Sequence, residues 1–457
     1  MFSAGRISAI AGFVSIGFLA SGLAASPADS GREVLAPDDG FAATPTAALP
    51  LGTTGGSSAA AARTVTVTTR NELIAALRYP DATPKLIRVE GLVDVNVDDS
   101  NHPLDCRDYV RPDPATGERF NHYAFAMQFD PVGPWGRKPP DGGQENARRA
   151  SAAAQEQRVH ILVPPNTTII GIGADATLVG AWLDIRPPGL TDGNAPMNVI
   201  VRNLALEDTA DCFPEWSPDD GPTGNWNSQY DAISVRNATH VWIDHDRFAD
   251  VRTRDEIQPT ILGHRLQVHD GLVDVTNESD CVTVSWNVFT AHDKTMLIGN
   301  SDGALADRGK LRVTLHHNFF DGVGQRAPRV RFGQVHVFDN LYHADMRTNY
   351  HSSWGVGVES RIVAENNAFD MSAGYGPLEI IDVKKGTRIT ATGNCWGGGA
   401  TCAPVDPVAA WNARFDPDLD PDAGWLPTLY GPTSTAEPAA DVRTRVLAGA
   451  GPGKKLP

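Results

Sequence analysis

Positive charge is in short supply in this chain. Of 457 residues, 39 are Lys or Arg against 55 Asp or Glu, a net charge of -16, and only eight of the 39 cations are Lys. A general nucleic-acid binder carries the opposite balance, so that class is excluded. Any polyanionic ligand must be gripped by a local cluster of cations or through a bound metal, against the overall field. Cysteine is also scarce, with five in all, an odd number that cannot all pair. Long apolar runs are missing beyond the amino terminus, and a membrane span needs about 18 such residues, so none is expected. Signals for tight hairpin turns are few, which speaks against an ordinary two-sheet sandwich. What the sequence does have is Gly and Pro, 44 and 33 residues, in a turn-rich globular composition that is 41% hydrophobic.

The amino terminus reads as a secretory signal peptide over residues 1–25, with Arg6 ahead of an apolar run from Ile7 to Leu23 and small residues after it. Export puts the chain outside the cytoplasm, extracellular or periplasmic, where disulfides persist. Cys395 with Cys402 would close a short loop, Cys106 with Cys212 is a second candidate bridge, and Cys281 sits in an apolar strand pattern as a small buried hydrophobe. Residues 26–62 are Ala, Gly, Pro, Ser and Thr with little apolar periodicity, which predicts a flexible lead-in. In RNELIAALR, residues 70–78, Leu73, Ile74 and Leu77 share one face of a short helix placed to cap whatever follows. Residues 131–158 read as a long excursion with some helix, and the tail from about 411 as a segment wrapping the outside.

Between these flanks the chain repeats itself. HVWIDHDRF, VTVSWNVF, VTLHHNFF, VHVFDNLY, RIVAENNAF and RITATGNCW share alternating β-branched residues, then Asn or Asp, then an aromatic two places later. The aromatics Phe248, Phe289, Phe320, Tyr342, Phe369 and Trp396 are spaced by 41, 31, 22, 27 and 27 residues. A basal period in the twenties, lengthened by loops, is that of one coil of a parallel β-helix. Stacking then places Asn over Asn at the turns and aromatic over aromatic inside. The fold expected is all-β, a parallel β-helical solenoid with an amino-terminal capping helix and long decorating loops, spanning residues 63–457.

A solenoid binds along one face, in a groove built by the loops that lengthen particular coils. The longest spacing contains VHDGLVDVTNESD, with Asp270 and Asp274 flanking Gly271, and Asp231 opens the preceding coil. Three carboxylates converging there would suit Ca²⁺, a cation of oxygen ligands. In a straight strand, positions four apart lie about 13 Å from each other, so the chain must bend, and Gly271 permits it. Lys294 stands in AHDKT, and Arg326, Arg329 and Arg331 crowd QRAPRVRFG on the next coil. Carboxylates and cations on neighbouring coils point to an extended anionic ligand bridged by metal.

YDAISV, VWIDHDRF, DGLVDVT, VTVSWNVFTAHDKTMLIG and VTLHHNFFDGVGQRAPRVRFGQVHVFDNLY resemble, in order and spacing, the pectate lyases of polysaccharide lyase family 1. PPNTTIIGIG and NYHSSWGVGVES extend the likeness to about residues 63–450. The resemblance implies a right-handed parallel β-helix that cleaves polygalacturonate by Ca²⁺-dependent β-elimination. It implies Asp231, Asp270 and Asp274 as metal ligands, Lys294 and Arg331 as binders of the substrate carboxylate, and Arg326 as the catalytic base. Gln229 stands where some relatives carry a further carboxylate. His245, His316, His317 and Asn318 match the family too, with structural positions in hydrogen-bonded stacks expected. The chain is expected to act as a monomer with polygalacturonate as its partner, and neither nucleic acid nor membrane. Two rival readings are a pectin lyase, whose esterified substrate has no use for the aspartates, and a non-catalytic polysaccharide-binding solenoid, which could lose Arg326.

Overall fold

The computed structural model describes residues 31–454 apart from 79–80, 190–193, 346–348, 398–401 and 428–435, so the expected signal peptide lies outside the described residues. The repeats wind into a right-handed parallel β-helix with three strands per typical coil. Eight short strands, from His160–Val163 to Ile381–Val383, form one sheet, here called the groove sheet. A second ladder runs from Thr64–Val67 to Ile389–Thr392, and a third from Ala205–Glu207 to Cys395–Trp396. The long strands Lys85–Asp94 and Thr167–Val179 bend through both of these ladders and join them. Pairing between successive coils is parallel throughout.

Each sequence repeat folds as a second-ladder strand, a one-residue left-handed corner, and a third-ladder strand. His245, His317 and Asn366 occupy such corners at φ 53° and Trp286 at φ 56°. Asn and His tolerate this region better than most residues, which is why the motif carries them there. The next residue forms a polar ladder. The backbone N–H groups of Asn287, Asn318, Asn340 and Asn367 donate to the side-chain oxygens of Asn318, Asn340, Asn367 and Asn394, all at 2.9–3.0 Å. Two residues on, the aromatics stack face to face inside. Phe248, Phe289, Phe320, Tyr342 and Phe369 follow one another at 4.8–5.0 Å between centroids and 7–12° between planes, and Trp396 ends the column 6.0 Å from Phe369. Val, Ile and Leu from all three ladders fill the rest of the interior.

The helix Arg70–Leu77 caps the first coil, its start fixed by a reciprocal Thr69–Glu72 capping box and its face anchored by buried Leu73 and Leu77. At the far end, Val408 in the helix Pro407–Asn412 closes the core. The excursion expected over residues 131–158 contains the helix Gly143–Val159, and a further helix, His122–Phe129, precedes it. These pack Phe125, Phe129 and Ala147 with Phe213, Trp216 and Trp226 into a satellite core, pinned by a Cys106–Cys212 disulfide. Cys395–Cys402 is the other disulfide, and Cys281 is free and buried.

The lead-in departs from the expectation of flexibility. Residues 31–62 lie across the second ladder, where the Phe41, Ala42 and Gly56 N–H groups donate to the hydroxyls of Thr314, Thr283 and Thr168. Small residues let the backbone approach closely enough for these bonds. At the other terminus, Val442 and Val446 of the helix Ala439–Gly449 pack on Leu341, Ala368 and Cys395.

Candidate active site

Alternation along the groove sheet sends Val273, Val275, Ile298 and Val330 into the core and leaves Asp274, Leu297 and Arg329 on the outer face. Register aligns Ser234 with Asp274, and the pairings Val275–Ile298 and Leu297–Arg329 place Arg329 two coils beyond Asp274. Adjacent strands lie about 4.8 Å apart, so the backbones of Asp274 and Arg329 stand about 10 Å from each other along one line. The clusters expected on neighbouring coils are brought together.

Gly271 makes the acidic part possible. A Cβ there would fall 2.4 Å from Asp274 Oδ1 and 2.9 Å from Asp231 Oδ1, so both oxygens converge on space that only glycine leaves open. The Gly271 N–H and the Ser234 hydroxyl donate to Asp231, and the Leu297 N–H to Asp274 Oδ1. Burial, reinforced by the charge of Asp270, pushes Asp231 up to about 7. Burial and the charges of Asp231 and Asp270 raise Asp274 well above the usual carboxylate range. Two buried carboxylates that each disfavour the other's ionisation are a site that a cation would relieve.

The third carboxylate is placed differently from the expected cage. Asp270 Oδ1 accepts from Lys294 Nζ at 2.9 Å, and among the described residues no three His, Cys, Asp or Glu side chains are already arranged around a common ion position. The oxygens of Asp231, Asp270 and Asp274 suit a hard cation such as Ca²⁺, and Asp270 would join the other two by releasing the ammonium.

On the cationic coils, Arg331 is nearly buried, its Nε donating to Asp302 at 2.7 Å and its Nη1 to the Gly299 carbonyl. Arg326 sits at φ 60°, half-buried, and its Nε has no hydrogen-bond partner. Burial, with the charges of Arg331 and Arg326 added, lowers Arg329 to about 10. A groove of about 850 Å³ opens to one side of these residues, lined by His292, Asp293, Gly324 and Asn349 among others, and none of Asp231, Asp270, Asp274, Lys294, Arg326 or Arg331 is in its lining.

Sequence reasoning missed the support beneath Asp270. His292 Nε2 lies 2.8 Å from the Asp270 carbonyl and Nδ1 2.7 Å from Asp250 Oδ2, and His269 completes the group 3.4 Å from Asp250. Burial disfavours charge on His292, but Asp250 outweighs it and carries the group up to about 9. Nothing in the repeat marks Asp250, which lies 42 residues from His292. His245, His316, His317 and Asn318 hold structural positions, the first and third stacked on Trp286, the second on Phe338, the fourth in the polar ladder.

The sequence profile of the pectate lyase family matches residues 142–410. A pectate lyase of Bacillus subtilis is 38% identical over 434 residues, 94% of this chain and 95% of the relative. The chain belongs to the pectate lyase family. A solved thermostable pectate lyase superposes with a TM-score of 0.86 at 40% identity, over 93% of this chain and all of the other. A pectate lyase solved with a bound hexasaccharide gives 0.83 at 38% identity, over 94% and 100%. This protein is a polysaccharide lyase.

Proposed function

We propose that the lyase cleaves the α-1,4 links of polygalacturonate by Ca²⁺-dependent β-elimination, leaving a 4,5-unsaturated uronide. The observation that carries the reading is the line of buried Asp231 and Asp274, then Lys294, then Arg326 and Arg331 across four successive coils of one sheet. Removing the C5 proton of a uronate is opposed by the negative charge of the adjacent carboxylate, so neutralising that carboxylate is the main task. Asp231, Asp270 and Asp274 would hold the ion, and bound Ca²⁺ supplies part of this neutralisation. Lys294 and Arg331 pair with the uronate carboxylate and stabilise the enolate-like charge that develops on it. Arg326 accepts the C5 proton. The C5–H electron pair becomes the C4=C5 double bond, the C4–O4 bond breaks, and the O4 alkoxide takes a proton from water, while Arg326 returns the C5 proton to solvent. Hydrolysis would instead call for two carboxylates flanking the bond and a placed water.

His292 holds the Asp270 carbonyl while Asp250 holds His292, so this pair positions the corner from which Asp270 reaches either Lys294 or the ion. Two disulfides support an exported protein, and no helix among the described residues is long and apolar enough to cross a membrane. The chain is taken to work as a monomer. The test is incubation with polygalacturonate, with Ca²⁺ and then with chelator, following the ultraviolet absorbance of the unsaturated product. Absorbance that grows with Ca²⁺ and stops with chelator is expected. Equal rates on fully methyl-esterified pectin without Ca²⁺ would refute the reading.

A further inference from the structure

A cluster of cations outside the catalytic groove stands out on a chain of net charge -16. It lies where coils leave the groove sheet and enter the second ladder. A groove of about 610 Å³ there is lined by Arg308, Lys310, Arg361 and Arg388, with Glu359 the only carboxylate among the described lining residues. The coil repeat fixes the layout. Gln334 pairs with Arg361, and because Ile362 pairs with Ile389, Arg361 stands opposite Arg388 one coil later. Cross-strand neighbours are about 5 Å apart, and like charges facing each other there destabilise a sheet. Arg308 is held by Glu359, and Arg388 lies 3.5 Å from Asp420. Among the described residues Lys310 has no ion-pair partner, and Arg361 shares the field of Glu359, the carboxylate that already holds Arg308. Ser360, also in the lining, keeps a buried hydroxyl with no hydrogen-bond partner.

Facing arginines, an unpaired lysine and an orphaned hydroxyl are together a cost to the fold that an anion with several regularly spaced carboxylates removes. We infer that this groove is a second, non-catalytic binding site for the anionic polysaccharide, which lies along the coil axis with its carboxylates on Lys310, Arg361 and Arg388. The inference rests on the polygalacturonate reading above. Asp302 accepts from both Arg331 and Lys385, at 2.7 Å each, so a chain of alternating charges leads from the catalytic groove toward this one. A polymer held here stays at high local concentration beside the groove that cuts it. A chain too short to reach both grooves gains nothing.

The experiment compares the full chain with its Lys310→Glu/Arg361→Glu variant, and with Lys310→Gln/Arg361→Gln in case charge reversal impairs folding. Retardation in native gels cast with polygalacturonate and chelator reads binding without turnover. The wild type should be retarded, and the variants should bind about tenfold more weakly, an effect that fades as salt is raised. With Ca²⁺ present, the KM for polygalacturonate should rise several-fold while kcat and the KM for trigalacturonate stay unchanged. Wild-type retardation and KM in the variants would overturn the proposal. So would an equal loss on trigalacturonate, which would place these cations in the catalytic groove, or equal retardation of the wild type by dextran sulfate, which would make the groove a general anion patch. A wild type that is retarded through this groove yet makes no unsaturated product would sink the lyase reading and leave the binding site standing.

Discussion

Asp274 is held where its charge is least welcome, beside Asp231 and under cover from solvent. Asp274→Asn should therefore raise the Ca²⁺ requirement more than about tenfold, because ligand charge sets affinity in such sites. The same variant should melt higher than wild type in chelator, since it removes the repulsion. Activity titrated against Ca²⁺, with thermal melts alongside, checks both signs; an unchanged Ca²⁺ requirement removes Asp274 from the site. Arg326→Lys deletes no structural hydrogen bond at Nε, which has none, but withdraws the base from reach of C5. A base must lie within about 3 Å of the proton it takes, so turnover should fall by several orders of magnitude with substrate and Ca²⁺ binding little changed. Turnover of the unmutated chain should climb with pH, because a guanidine must be neutral to accept a proton. Single-turnover rates and equilibrium binding, measured separately, decide whether Arg326 reacts or merely binds. The types and spacing of these residues were legible in the sequence. The Asp270–Lys294 contact and the Asp250–His292 support were not, because each depends on which way a side chain turns between coils.

Among the elements, the repeat was the most legible part of the fold, since each coil must bury the same aromatic column and satisfy the same corner. Asn340 shows how much one rung does. Its side chain donates to the Leu315 and Phe338 carbonyls and to Asn367, and accepts from the Asn318 backbone and amide. Asn340→Ala strands several of these buried groups at a cost of about 1–3 kcal/mol each, so a loss of about 3 kcal/mol or more is expected from urea denaturation at constant m-value. A loss under about 1 kcal/mol would mean that water replaces the rung. The lead-in was the least legible element. Its bonds reach Thr314, Thr283 and Thr168, between 112 and 273 residues away, and composition carries no trace of such distant partners.

At the scale of the whole molecule, the tail is tied down through a carboxylate with an unusual titration. Asp339 is fully buried and accepts the Glu437 N–H on both oxygens. Burial, opposed by that hydrogen bond and assisted by the charge of Glu437, raises it to about 7. A carboxyl raised in the folded state binds its proton more tightly there than in the unfolded chain. The stability it lends is complete below the unfolded value of about 3.9 and is lost as pH rises through about 7, on the order of 4 kcal/mol. Denaturation curves from pH 4 to 8 should show that decline, and Asp339→Asn should flatten it; an equal slope in the variant would assign the decline to other groups.

Coils that touch only their neighbours tend to melt rung by rung, each almost indifferent to a rung four places away. Here both termini run lengthwise over the stack. The amino-terminal segment bonds Thr168, Asn198, Thr283 and Thr314 in turn, and the carboxy-terminal one runs from Cys395 back to Trp286 and Asn203. Such lashings make distant rungs share one fate. Calorimetry should find a single transition in which van't Hoff and calorimetric enthalpies agree, and deletion of residues 31–57 should split or broaden it. A stack that opens all at once offers a protease no frayed end to start from.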